Sequence, residues 1–223
     1  MNFYKLNQII ENQEENVLIP RRLPEERIEK YAQATQRQIQ QYVKNGSKGD
    51  LDLRGKPITS LPDNLTIVNG NLNLQGTKIT SLPENLTKVD GYLNLGYTPI
   101  TSLPEKLKIV YGFLNLKHTL VSSLPENLKV GGDLELDNTP IARLPNNLIV
   151  SRNLYLYNTP ITTLPENLIV GKDIYLYSTK INSIPQNLKV DGDLYIQDTP
   201  LGKRYSVEAL REMLPGVMGG IYV

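Results

Sequence analysis

The sequence predicts a solenoid: a right-handed coil of short repeats that stacks one strand per coil into a parallel β-sheet. Three observations predict it. First, the 223-residue chain falls into register with itself at a period of 20 or 21 residues. GDLDLRGKPITSLPDNLTIVN, which starts at Gly49, is followed by GNLNLQGTKITSLPENLTKVD and GYLNLGYTPITSLPEKLKIVY, then by four shorter copies, and an eighth leaves the pattern after GDLYIQDTPL. Second, every copy holds an apolar-x-apolar pair, a period of two that reads as a short strand with one buried face. Third, apolar residues make up 39% of the chain, slightly low for a globular core and natural for a thin solenoid whose surface stays wet.

Each recurring slot has a physical job. The strand pair, Leu72 and Leu74 or Leu154 and Leu156, points into the core, and the next apolar positions, such as Ile79 and Leu82 or Ile161 and Leu164, return to it. Each coil supplies about six apolar side chains worth roughly 1.5–3 kcal/mol apiece when buried, so one coil cannot stand alone and a stack can. The proline that follows (Pro62, Pro83, Pro104, Pro125, Pro145, Pro165, Pro185) fixes φ and stops a strand or helix from continuing. The segment N-L-x-V then returns the chain to the next coil. A threonine recurs at the bend after the strand (Thr77, Thr98, Thr119, Thr139, Thr159, Thr179, Thr199). Its buried hydroxyl is expected to bond backbone groups of the neighbouring coil, a structural ladder and not a row of nucleophiles. Asn64, Asn85, Asn127, Asn147, Asn167 and Asn187 are expected to make side-chain-to-backbone bonds in a turn. At ~4.8 Å per strand, eight coils give a sheet roughly 40 Å long.

A solenoid needs caps, because its end coils otherwise expose core. The chain divides into an N-terminal helical cap (1–48), the solenoid (49–201) and a C-terminal cap (202–223). Residues 24–44, PEERIEKYAQATQRQIQQYVK, open with proline and acidic residues and end before Asn45-Gly46, a well-punctuated helix. Ile28, Tyr31, Thr35, Ile39, Tyr42 and Val43 form one apolar stripe along it, expected to lie on the Leu51/Leu53 coil; a partner-binding or dimerising helix is the sharper alternative. Residues 3–11 suggest a shorter helix before it. At the other end Ser206 can cap a short helix, VEALREM, and Gly220 to Val223 read as a closing strand over the coil of Leu194 and Ile196.

Composition removes several functions. Lys plus Arg is 24 and Asp plus Glu is 23, without the basic excess that duplex-DNA binding draws on; no nucleic-acid partner is expected. There is no cysteine, and His118 is the only histidine. That excludes disulfides and Cys/His zinc sites, and any Ser-His-Asp triad would have to use His118. No catalytic residue, metal or cofactor is expected. No stretch of 18 apolar residues exists, so no membrane span is expected. The segment MNFYKLNQIIENQEEN lacks the apolar run and cleavage site of a signal peptide, so the expected location is cytoplasmic.

The pattern L-x-L-x-x-T-x-I-x-x-L-P resembles the leucine-rich-repeat family, whose core signature is L-x-x-L-x-L-x-x-N-x-L. Threonine stands where that family usually has asparagine, and the L-P pair with its short period resembles repeats of secreted bacterial effectors. The match spans residues 49–201. The N-L-x-V-x-G segment departs from the family in its wider spacing, so the resemblance implies the sheet more firmly than the convex side. The layout, with a helical front end and the tail MLPGVMGGIYV, more loosely resembles repeat proteins encoded by bacteriophages.

The resemblance implies that side chains beside the strand leucines point outward on a concave sheet. In the first half these slots carry an asparagine ladder (Asn71, Asn73, Asn94, Asn115) of little chemical character. The second half gathers Tyr155, Tyr157, Tyr175, Tyr177 and Tyr195 with Asp133, Glu135, Asp137, Asp173 and Asp193. Tyrosine offers large contact area with a polar handle at low entropy cost, so this cluster is the candidate partner-binding surface. The competing interpretation is a tyrosine ladder that only stabilises the sheet. In the same coils Arg152 and Lys172 replace the glycine before the strand; either that backbone needs no positive φ or it tolerates strain.

The expected function is therefore a non-catalytic protein-interaction module whose partner has a basic or mixed surface. Its concrete form is a phage-encoded inhibitor of a host defence protein. The alternatives are a self-assembling or virion-associated structural protein, with homo-oligomerisation left open, and a carbohydrate-binding or carbohydrate-active protein using Asp133, Glu135 and Asp137.

Overall fold

The structure is a computed structural model, and it describes residues 25–223. The chain winds into a parallel β-solenoid closed by helices at its two ends. Each strand is two residues long. Leu51–Asp52, Leu72–Asn73 and Leu93–Asn94 begin a nine-stranded sheet, which continues coil by coil to Leu194–Tyr195 and the closing strand Ile221–Tyr222. The register is uniform: each strand leucine lies beside the corresponding residue one coil on, as in Leu154↔Ile174 and Tyr155↔Tyr175. Amides donate forward to the next coil, Leu154 N to Asp173 O and Leu156 N to Tyr175 O at 2.9 Å each.

The coil has a second sheet, where the sequence predicted one strand per turn. The N-L-x-V return segment is itself a strand in seven coils, from Ile67–Val68 to Lys189–Val190. Here the amides after the core-facing valine donate backward, Gly131 N to Val110 O at 2.8 Å and Ser151 N to Val130 O at 2.9 Å, while the Val190 amide donates forward to Gly216 O at 3.0 Å, the alternation of a parallel ladder. Two-residue strands carry no visible period, and only the valine faces the core, so hydrophobic alternation could not reveal them. Between the sheets, one core cluster runs unbroken from Ile39 to Ile221 and includes Leu72, Leu74, Ile79, Leu82, Leu154, Leu156, Ile161 and Leu164.

The threonines are buried as expected, at most 4% exposed, but they do not bridge coils. Each hydroxyl donates to the carbonyl three residues back in its own coil, Thr77 to Leu74 at 2.7 Å and Thr159 to Leu156 at 2.8 Å. The bond closes the bend in which the residue just before the threonine has positive φ. That slot is the left-handed column of the fold: Gly55, Gly76, Tyr97, His118, Asn138, Asn158, Ser178 and Asp198 all lie at φ 53–64°. The glycine before the strand has a different cause. Apart from Gly49, those glycines do not have positive φ; at Gly70 a Cβ would stand 2.2 Å from the Gly49 carbonyl oxygen, so close approach of backbones is the constraint. Arg152 and Lys172 accordingly carry no left-handed strain. The asparagine slot also differs from expectation. Asn127 and Asn147 have positive φ, and their side chains bond each other between coils at 3.2 Å.

Helix α1 (Glu25–Lys44) opens with Glu25 and Glu26 and ends on Lys44, charges that suit its dipole. Its C-terminal half docks on the first coil: Thr35, Ile39 and Tyr42 are buried, and the Tyr42 hydroxyl donates to Ser47 O at 2.8 Å and Gly49 O at 3.1 Å. In the other half of the predicted stripe Ile28 is half-buried and Tyr31 is 43% exposed. The suggested helix over residues 3–11 lies outside the described residues. At the far end α2 (Pro200–Arg204) starts at a cap formed by Thr199, and α3 (Val207–Met213) at a cap formed by Ser206, whose side chain accepts from Ala209 N at 3.3 Å. The closing strand pairs Leu194↔Ile221 and Tyr195↔Tyr222.

Two substitutions test this account in urea unfolding. Thr159→Val keeps the shape but removes the hydroxyl bond to the buried Leu156 carbonyl, which keeps the residue-159 amide at 3.2 Å, and is expected to destabilise by about 1 kcal/mol. Ser178→Gly, in the left-handed column at an exposed site, is expected to stabilise by about 1 kcal/mol. An unchanged midpoint in either variant would contradict the role assigned to that slot.

Candidate interaction surface

Uniform register places equal slots on top of one another, so any side chain repeated in successive coils must meet its own kind. Tyr155 and Tyr175 stack with centroids 4.7 Å apart and planes 1° apart; Tyr175 and Tyr195 stack at 4.7 Å and 7°. The stack does not end there. Tyr222 on the closing strand adds a fourth ring, 4.6 Å and 9° from Tyr195. Sequence periodicity missed Tyr222 because its strand follows two helices instead of one more repeat; the signal available was the alternation in Gly220-Ile221-Tyr222-Val223. Tyr177 flanks the ladder, 6.1 Å from Tyr175 and 5.7 Å from Tyr195. Tyr157 stands one coil earlier in the same slot and is 46% exposed. The five predicted tyrosines thus form one strip, two columns wide.

The aspartates beside the ladder brace it. Asp173 Oδ1 accepts the Asp193 amide at 2.8 Å, while Asp173 Oδ2 accepts the Tyr175 hydroxyl at 3.1 Å. Asp193 repeats the arrangement with the Gly220 amide at 2.5 Å and the Tyr195 hydroxyl at 3.1 Å. Asp133 Oδ1 accepts the Asn153 amide at 2.9 Å, and Asn153 Oδ1 accepts the Asp173 amide at 3.2 Å. This row of acceptors supplies each coil's next amide just before the strand.

Glu135 and Asp137 meet a basic side chain of the same surface. Lys117 Nζ lies 3.1 Å from Glu135, 3.2 Å from Asp137 and 5.4 Å from the centre of the Tyr155 ring. Burial pulls the Lys117 ammonium down, but Glu135 and Asp137 outweigh it and leave it raised. Asp137 also accepts the Tyr157 amide at 2.9 Å, and Arg152 Nε sits 3.6 Å from Asp133. All five predicted acidic residues therefore have partners inside the chain.

The first half of the same face has more character than its asparagines suggested. Asn73 and Asn94 are buried, at 5% and 9% exposure, because each side-chain oxygen turns back to accept the amide two residues on, Gln75 N at 3.2 Å and Gly96 N at 3.1 Å. Tyr92 stacks on Phe113 at 4.6 Å and 7°, and Tyr97 on His118 at 4.6 Å and 17°. Among the described residues no group of three or more His, Cys, Asp or Glu side chains is placed to hold a metal, and no helix is long and apolar enough to cross a membrane.

No protein-family model matches the chain. No curated protein matches it either. Among solved structures it is similar to a leucine-rich-repeat protein of Leptospira interrogans, at 17% identity over 78% of this chain and 72% of that one, with a TM-score of 0.25. At that overlap the architecture rests on the chain's own repeats and strand register, which are those of a leucine-rich-repeat-like solenoid.

The ladder also sets the ionisation of its tyrosines. Burial pushes Tyr195 up to about 12, with the Asp193 carboxylate adding to it, and burial with the Asp173 carboxylate raises Tyr175 as well; burial and Asp50 take Tyr42 to about 12. A phenol with a raised folded pKa is held in its neutral form. Its contribution to stability is whole below an ordinary tyrosine pKa of about 10 and is lost as pH rises through the folded value. Tyrosinate absorbance is expected to show a late-ionising class near pH ~12 that titrates together with loss of the folded circular-dichroism signal. One transition near pH ~10 for all tyrosines would contradict the ladder.

Proposed function

We propose that the chain is a non-catalytic protein-binding module that holds its partner against the tyrosine strip of its C-terminal coils. The observation that carries this is the order already present in the strip. Ring stacking and hydroxyl-to-carboxylate bonds fix Tyr155, Tyr175, Tyr195 and Tyr222 before any partner arrives. A partner therefore gains aromatic contact at little further entropy cost. Tyr157 and Tyr222 are more than two-fifths exposed and are the natural anchors.

The same geometry speaks against the carbohydrate alternative. Sugar binding to tyrosine uses the ring face, and the ladder's rings spend their faces on one another and offer edges. Glycoside chemistry needs two carboxyl groups with separate protonation roles, whereas Asp133, Glu135 and Asp137 are engaged by Arg152, Lys117 and backbone amides. Arg152 and Lys117 offset only part of the charge of those three carboxylates, and Asp173 and Asp193 have neutral partners, so a partner with a basic or mixed surface suits the strip. The narrower form of the proposal is an inhibitor encoded by a bacteriophage that docks on a host defence protein in the cytoplasm; its support is the looser resemblance of the chain's layout.

Affinity capture from a bacterial lysate, followed by titration of the purified partner, tests the proposal. Tyr157→Ser with Tyr177→Ser removes the outer column and leaves the ladder intact. Loss of two central contacts is expected to weaken binding at least about 30-fold. A folded double variant that binds the same partner with the same Kd would move the interface elsewhere.

A further inference from the structure

A second site follows from an interruption in the left-handed column. Tyr97 belongs to that column, and one face of its ring is covered by His118 on the next coil, 4.6 Å away. On the preceding coil the column holds Gly76, and before that Gly55. Neither has a side chain, so nothing from the column covers the other face of Tyr97, and the residue is 47% exposed. Two glycine steps at ~4.8 Å per coil clear roughly 10 Å along the stacking direction, room for one flat ring at van der Waals separation of about 3.5–4 Å on each side.

The surroundings specify the rest of the ligand. Gly55, Gly76 and Tyr97 line a cleft of about 610 Å³ together with Asp52, Arg54, Lys56 and Gln75, a volume in the range of small-molecule sites. Arg54 is bound by Asp52 through both Nε and Nη2, the latter at 2.7 Å, so these two charges cancel. Lys56 has no ion pair among the described residues; its ammonium donates to the Gln38 side-chain oxygen of α1. The cleft therefore offers one open aromatic face, one uncompensated positive charge and the carboxamide of Gln75.

We propose that this cleft binds a small planar aromatic molecule carrying an anionic group, stacked on Tyr97 with its anion at Lys56. The shared chemistry covers a nucleoside monophosphate and an aromatic carboxylate alike. The site lies on the first three coils, away from the tyrosine strip, and does not depend on the protein-binding proposal.

Calorimetry on the full chain tests it with adenosine monophosphate, 2-naphthoate, adenosine and inorganic phosphate as probes. One of the two anionic aromatics is expected to bind with a Kd of about 1 mM or tighter, and which one does so distinguishes the sources. Gly76→Asn fills the space over Tyr97 with a residue the same column already accommodates at Asn138 and Asn158, and is expected to abolish binding without lowering the melting temperature. Tyr97→Asn is expected to weaken binding about 5- to 100-fold, the range of an aromatic stacking contact. Lys56→Gln is expected to reduce the binding of the anionic probe toward that of adenosine. No binding of either anionic aromatic, equal binding by Gly76→Asn, or inorganic phosphate binding as tightly as the anionic aromatic would each overturn the proposal.

Discussion

The hydrogen bonds from each coil's strand to the next are the constraint on which the molecule depends. Leu154 N to Asp173 O and Leu156 N to Tyr175 O recur, with other residues, in every coil, and they permit no slippage between neighbours. A sheet shifted by one residue would turn its leucines to solvent, and here seven further copies of the same pattern would have to shift with it. Because register is locked, every slot becomes a column. Leucine columns make the core, threonine columns close the bends, and aspartate columns supply acceptors to amides just before the strands. Residues a coil apart in sequence are in contact, so chemistry along the solenoid is set by which residue follows which at intervals of 20 or 21.

This explains what was legible in the sequence. The strand pair, the core slots, the helix ending at Lys44 and the Ser206 cap are each written in local pattern, and the structure has them. The second sheet was hidden because a two-residue strand with one buried valine, as in Lys129–Val130, has no period to detect. The partners of Thr77 and Asn73 were hidden for another reason. A polar side chain near a bend can turn to its own coil or to its neighbour, and residue type does not decide. In both cases the nearer backbone group won, since bonding it needs no agreement between coils.

The candidate surface was legible as a list and not as an arrangement. The outward slots of the sequence point to Tyr155, Tyr175 and Tyr195, and by composition alone the acidic residues beside them read as charge offered to a partner. In the column geometry Asp173 and Asp193 are each committed twice, to an amide and to a phenol. Lys117, from the coil before, is shared by Glu135 and Asp137 and offsets half of their charge. Charge composition over-reads a solenoid surface for this reason: like slots stack, and unlike slots on adjacent coils pair.

Columns of aromatic rings carry a further consequence. Inside a run of rings each face is covered by the next, and only edges and hydroxyls remain for a partner. A ring face opens where a column ends or changes residue. Tyr97, whose column turns to glycine at Gly76, is such a place. The two kinds of surface suit different ligands. A long row of edges, rigid and polar-tipped, matches the broad contact area of a folded protein, while a single open face beside a lysine matches a small flat anion. The position of a glycine within a column, rather than the number of tyrosines, therefore decides where such a solenoid can take a small molecule.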